Sequence, residues 1–292
     1  MGCPTGSWAV MKEVWSMLRD ILAYEFLRNA LGAGILASLL AGLTGLILVE
    51  KKMIMMSGGI AHASYGGVGL GYLLGFPPLL GAFGFSITAA LASGFIRRRG
   101  GTGGELVIGL FWSLGMALGI FFVALIPGYP PNLSGYLFGN ILAAGPMDLL
   151  LLLGLFLLTG ALFAAFWQAW KAYLFDEEFS RIRGLPVVIL ESLLLILISL
   201  AVVALIRIVG IILAQALLLA PAATARLWLK SLRSRIAGSM AVALASTLGG
   251  LALSYYLDLP SGALIVLVAV TLFALSYGLR GLWTRRQERK VL

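Results

Sequence analysis

The chain alternates apolar runs of about twenty residues with short segments that carry most of its Lys and Arg. A helix needs about 20 apolar residues to cross a ~30 Å hydrocarbon core. In lipid, every backbone N–H and C=O must find a partner within such a segment. The pattern therefore predicts an all-α, polytopic membrane helix bundle. Runs of near-membrane length fall at 28–50, 54–74, 79–96, 105–126, 147–169, 187–206, 208–229, 236–256 and 261–279, which makes about nine spans. Only Arg207 separates the sixth run from the seventh, so eight spans is the alternative count. A composition of 61% hydrophobic and 11% charged residues agrees with a membrane chain and not a soluble one.

Charge placement orients the bundle. Alternate connections hold Lys51 and Lys52; Arg97, Arg98 and Arg99; Lys171, Arg181 and Arg183; and Arg226, Lys230, Arg233 and Arg235. The tail adds Arg280, Arg285, Arg286, Arg289 and Lys290, so one side collects most of the 21 basic residues. The positive-inside rule makes that side, with the C-terminus, cytoplasmic and puts the N-terminus outside. The net charge of +9 is explained in this way and does not call for a nucleic-acid partner.

The chain divides into three parts. In residues 1–27, Trp8, Met11, Trp15, Leu18 and Leu22 recur at three- and four-residue steps, with Lys12, Glu13, Arg19 and Asp20 between them. That pattern predicts an amphipathic, interfacial surface helix. Residues 28–280 form a single transmembrane domain, and 281–292 a basic cytoplasmic tail. The single cysteine, Cys3, excludes an intrachain disulfide and a cysteine-based metal site. No G-x-x-x-x-G-K-[ST] loop is present, so ATP is not expected to be hydrolysed by this chain, nor any cofactor bound.

The only histidine, His62, lies in the second run, ten residues past Lys52. At ~1.5 Å per residue that is roughly 15 Å deep, near the middle of the bilayer. An ionisable group there is costly and is a functional candidate by default. Gly58, His62, Gly66 and Gly69 share one helix face, beside a stripe of Gly67, Gly71 and Gly75 that reads as close helix packing. For His62 two readings stand: a hydrogen bond to a neighbouring helix, or a contact with a substrate.

The segment from Phe175 to Pro186 reads as a short, fully punctuated cytoplasmic helix. Asp176 is the N-cap, with Glu177 and Glu178 in the first turn, Arg181 and Arg183 in the last, Gly184 at C′ and Pro186 beyond. Phe175, Phe179 and Ile182 are spaced to share one face, which suits docking into a groove on a partner or resting on lipid. Elsewhere, the outer connection from Pro127 to Pro146 is the longest, and Pro221 is expected to kink the seventh run beyond Gln215. Asp258 is expected to cap the ninth.

Taken in order, these segments resemble the permease family of ATP-binding-cassette importers for zinc, manganese and iron. The matching stretches are Tyr24–Leu27; Ser57–Gly71 with His62; Pro127–Tyr129 followed by Tyr136–Gly139; Phe175–Phe179 through Gly184–Pro186; Leu219–Arg226; and Tyr255–Gly262. The resemblance implies a multi-pass protein of the prokaryotic cytoplasmic membrane that pairs with a second copy of itself. It also implies two cytoplasmic ATPase subunits and an extracytoplasmic metal-binding protein as partners. The residues Phe175, Asp176, Glu177, Glu178, Phe179, Arg181, Arg183 and Gly184 would then form the ATPase-coupling element. His62 would contact the transported divalent metal in transit. Ser57, Gly58, Ser64, Gln215 and Asp258 are the candidate lining of the path.

In one respect the chain departs from the family. Members often have an aspartate four residues before the histidine, where this chain has Gly58. Manganese prefers carboxylate and zinc accepts imidazole, so a lone His62 favours zinc, with manganese or iron as alternatives. A permease for a bulkier metal chelate is a second reading, and an ion-gradient-driven carrier a third. The carrier would need carboxylates deep in the membrane. Glu50, Glu105, Asp148 and Asp258 lie near span ends, and Glu191 is only about a turn inside.

Overall fold

The computed structural model describes residues 23–99, 104–128 and 139–291. Residues 1–22 of the proposed surface segment 1–27, residues 129–138 of the outer connection and the side chains of the tail beyond Trp283 lie outside the described residues. Those that are described form α1 (Glu25–Glu50), α2 (Ile54–Leu74), α3 (Pro78–Arg98), α4 (Gly104–Ala124), a 3-10 turn (Ile141–Ala143), α5 (Pro146–Ala165), α6 (Trp167–Phe175), α7 (Glu177–Ile182), α8 (Val187–Trp228), α9 (Leu232–Leu257) and α10 (Ser261–Val291). No strand occurs among them.

Seven of these helices are long and apolar enough to cross a membrane. One is α8, whose 42 residues would extend about 63 Å at ~1.5 Å per residue, twice what a bilayer core needs. It is two helices, 187–209 and 211–228, broken at Gly210 with φ 78 and ψ 167, a backbone conformation essentially reserved for glycine. The break thus falls three residues past Arg207, which stays in helix beside Asp148 at 3.5 Å. Gly139, itself at φ 64, brings its backbone against Val209 and Gly210, leaving no room there for a Cβ. In contrast, α8 keeps helical backbone through Pro221, the expected kink. That residue is buried, and packed neighbours are what make an intramembrane proline tolerable. α2 has membrane length as well, but its glycines, serines and His62 dilute its hydropathy.

α1 and α8 are largely buried and form the centre, while α4, α5 and α10 turn most of their residues outward. α2 packs chiefly on α3 and α4. The close packing expected of its glycine stripe holds at Gly67, where a Cβ would overlap the Gly81 carbonyl of α3, and at Gly71, where it would meet Pro78. Gly75 plays another part: it has open space around it and ends α2 at φ 76. The last helix runs past its expected end at 279 to Val291, since no proline follows and Arg, Gln, Glu and Lys are good helix formers.

Candidate functional site

The turn before α2 forms a charged end of the bundle, whereas the helix itself carries no Asp, Glu, Lys or Arg. At the charged end, Lys51 Nζ lies 3.4 Å from Glu177 Oε2 of α7, donates to the Tyr173 carbonyl at 3.3 Å and sits 3.6 Å above the Tyr173 ring. Arg181 reaches the other Glu177 oxygen at 2.9 Å. Glu191, 1% exposed at the start of α8, is clamped by Arg97 and by Arg98, the latter at 2.7 Å. Arg235 of α9 bonds Glu50 at 2.7 Å. These pairs gather the α1–α2, α3–α4 and α8–α9 connections and α7 at one end of the bundle. Burial alone would raise the Glu177 carboxyl, but the charge and hydrogen bond of Lys51, with Arg181 beside it, hold it below the usual range. For Lys51, burial outweighs Glu177 and lowers the ammonium. The ammonium is the more enclosed partner, at 8% exposure against 33%, so desolvation dominates there. Burial and the charges of Glu191 and Glu177 push the Tyr173 phenol up.

α7 is punctuated as its sequence predicts. The Phe179 N–H donates to Asp176 Oδ1 at 2.9 Å, and Ser180 Oγ donates to the Asp176 carbonyl at 2.8 Å. Gly184 takes φ 76. Its N–H donates to the Arg181 carbonyl and that of Leu185 to the Ser180 carbonyl, both at 3.0 Å, the paired bonds of a Schellman motif. One expectation fails. Phe175 ends α6, and extended Asp176 at φ −148 interrupts the register, so Phe175 is not on the α7 face. Phe175, Phe179 and Ile182 are nonetheless 60%, 44% and 80% exposed, with Glu178, Arg181 and Arg183 around them. Arg183 lies 4.7 Å from the Phe179 ring.

In the middle of α2, His62 stacks on Trp112 of α4 with ring centroids 4.1 Å apart and 12° between planes. Its Nδ1 is buried without a hydrogen-bond partner. The stack forms because Gly115, three residues on from Trp112, lets α4 touch the α2 backbone at Ala63 and His62. Ser57 Oγ donates to the Ile54 carbonyl at 2.8 Å and lies 3.2 Å from Gln215 Oε1 of α8, while Gln215 Nε2 has no partner. Rotating that amide would let Nε2 donate to Ser57 and would orphan the oxygen instead. Either way one end of Gln215 is unsatisfied, beside an open apolar groove lined by Ala216, Leu219, Ala220 and Ala223 of α8 and Val270 and Phe273 of α10.

The sequence profile of the ABC 3 transport family matches residues 23–279. The chain belongs to that family. An uncharacterized membrane protein of Synechocystis sp. is 41% identical over 259 residues, 89% of this chain and 92% of that protein. The manganese transport system membrane protein MntC of Halalkalibacterium halodurans is 34% identical over 267 residues, 91% of each chain. A chain of the solved structure of PsaBC from Streptococcus pneumoniae in complex with Fab superposes with a TM-score of 0.81 at 31% identity, covering 90% of this chain and 95% of that one. Membership makes the chain a membrane transport subunit and not itself an enzyme.

Within this ABC 3 family chain the candidate residues separate. Ser57 meets Gln215, and Gly58 and His62 both face Trp112. Ser64 is buried and donates to its own helix, at the Ala61 carbonyl, 2.6 Å away. Asp258 does not cap the last helix: α10 starts at Ser261, and Asp258 instead ends α9 in a left-handed turn at φ 54, exposed. No group of three or more His, Cys, Asp or Glu able to hold a metal forms among the described residues. Trp112 is the residue that sequence reasoning missed. Its signal was a tryptophan inside an apolar run, away from the ends where tryptophans usually anchor.

Proposed function

We propose that the chain is the membrane permease of an ATP-driven importer for a divalent transition-metal ion. The observation that carries this reading is family membership along nearly the whole chain together with α7, a capped, exposed helix tied by Glu177 to the elbow of the His62 helix. In this reading α7 is the coupling helix. Phe179 and Ile182 enter a groove on a cytoplasmic ATPase, with Phe175, Glu178 and Arg183 at the rim. The end that gathers Lys51, Arg97, Arg98, Arg181 and Arg235 is cytoplasmic, which agrees with the positive-inside rule and leaves the N-terminus outside. A metal-binding protein delivers the ion from the opposite side. Two copies of the chain rock between outward- and inward-open states, and the ion passes His62 on the way.

The relative MntC is a manganese transport protein by name. We favour zinc for this chain because His62 Nδ1, unsatisfied in the middle of α2, is an imidazole nitrogen, and no group of three or more metal-ligating side chains forms among the described residues. A single weak donor suits passage, since a path must release what it binds. An ion-gradient carrier is disfavoured: Glu191, the deepest acid by sequence, is committed to Arg97 and Arg98. The test is uptake of zinc and manganese in vesicles holding the chain with its ATPase and metal-binding protein. The reading expects uptake that requires ATP and all three components. Undiminished uptake without the ATPase would refute it.

A further inference from the structure

We infer that Trp112 is a specificity-determining residue of the transport path: it fills the place beside His62 where an oxygen ligand would have to stand. The inference rests on the metal-importer reading and deepens it. Side chains that could join His62 at one ion from its own helix lie three or four residues away, at positions 58, 59, 65 and 66. These are Gly58, Gly59, Tyr65 and Gly66, so none offers a carboxylate. Two of the glycines are closed by structure. A Cβ on Gly59 would stand 2.6 Å from Ile108 Cγ2, and one on Gly66 would be 3.0 Å from Phe85 Cε1 and 3.1 Å from the Gly115 carbonyl.

Gly58 is different. A Cβ there meets a single side chain, Trp112, at 3.1 Å from Cζ3 and 3.7 Å from Cε3 and Cη2. The same indole covers one face of the His62 ring at 4.1 Å. A methyl at 58 needs the ring to give by a few tenths of an ångström, and a carboxylate turned toward the same side of His62 needs it to give further. Trp112 is half-buried on α4, a helix that turns most of its residues outward, so the obstacle is a movable side chain and not backbone. Gly58 and Trp112 thus act as a pair. The indole holds the imidazole flat, stands against a carboxylate at position 58, and leaves a contact without a carboxylate, which zinc accepts and manganese does not favour.

The experiment compares Gly58→Asp, Trp112→Phe, and Gly58→Asp combined with Trp112→Ala, each assembled with the ATPase and the binding protein. The readout is the ratio of manganese to zinc uptake per ATP hydrolysed. Trp112→Phe, which keeps a ring on His62, is expected to retain the parent ratio. The double variant is expected to raise the ratio on the order of tenfold, the scale on which single contacts around a metal tune its affinity. Gly58→Asp alone is expected to shift it less, because the indole still blocks the carboxylate. An unmoved ratio in the double variant, or an equal shift from Gly58→Asp alone, would overturn the inference. Should loss of the indole impair assembly, Gly58→Asp with Trp112→Leu asks the same question, and an unmoved ratio there counts equally against it. If the parent chain transports neither ion with ATP, the importer reading falls and this inference with it. If it transports and the ratio does not move, only the role of Trp112 falls.

Discussion

The two parts of α2 are held in opposite ways. Around the elbow before it, Lys51 answers Glu177, two arginines answer Glu191, and Arg235 answers Glu50. About halfway along the helix, His62 Nδ1 has no partner, and across the Ser57 contact Gln215 keeps one amide end unpaired. A satisfied polar network fixes geometry, whereas an unsatisfied one costs stability unless something else completes it. The chain pairs charges at one end and leaves His62 Nδ1 and one end of Gln215 open in the middle, an arrangement that suits the proposed division between a coupled end and a path for the cargo. α7 is tied by a charge pair at 3.4 Å to Lys51, in the turn between α1 and α2, so in the proposed function a push on α7 is passed to the start of the His62 helix.

The strongest way to break this contrast is at Glu191. Replacing it with Gln leaves two guanidiniums facing a neutral group, and removing one partner of a buried pair costs roughly 3–5 kcal/mol. Arg97 and Arg98 are 38% and 23% exposed, so we expect the lower end of that range, seen as a large drop in melting temperature in detergent. Next is the link to α7. Lys51→Met should cost on the order of 1–2 kcal/mol, because the lost hydrogen bonds involve a charged donor. It should also lower metal uptake per ATP hydrolysed. Combining Lys51→Glu with Glu177→Lys should recover part of the uptake, which a purely local packing role for Lys51 would not allow.

The smallest effect is a pH dependence. The Glu177 carboxyl is held below its ordinary value of 4.5. Its contribution is therefore complete above that value and is lost as pH falls through the lowered one. Glu177 is a third exposed, so the contribution is under about 1 kcal/mol. Melting temperatures of the parent and Glu177→Gln should differ near neutral pH and converge in acid. A gap that persists in acid would mean that packing, and not charge, is what Glu177 supplies.

What could be read in advance follows from range. The spans were legible because apolar runs and flanking Lys and Arg are local and periodic, and α7 because each of its stop and start signals lies within one turn. The α8 break was misplaced because Arg207 looks like a boundary, while Gly210 is silent until Gly139 comes against it. The spacing of Phe175 suggests the α7 face, but an N-cap at Asp176 starts the helix at Glu177 and leaves Phe175 outside its register. Trp112 could not be placed beside His62 from the sequence. That contact depends on Gly115 letting two helices touch, a fact of packing between residues far apart in the chain.

In the proposed function, the open nitrogen of His62 belongs to the ion's path. His62→Ala, assembled with the ATPase and the binding protein, tests it most directly. Nδ1 has no partner to lose, so the variant should keep its fold apart from about 0.5–1.5 kcal/mol of ring stacking with Trp112. Its ATPase should still dock, and metal uptake per ATP hydrolysed should fall at least about tenfold. Full uptake by a well-folded His62→Ala transporter would contradict the account and reduce His62 to a packing residue.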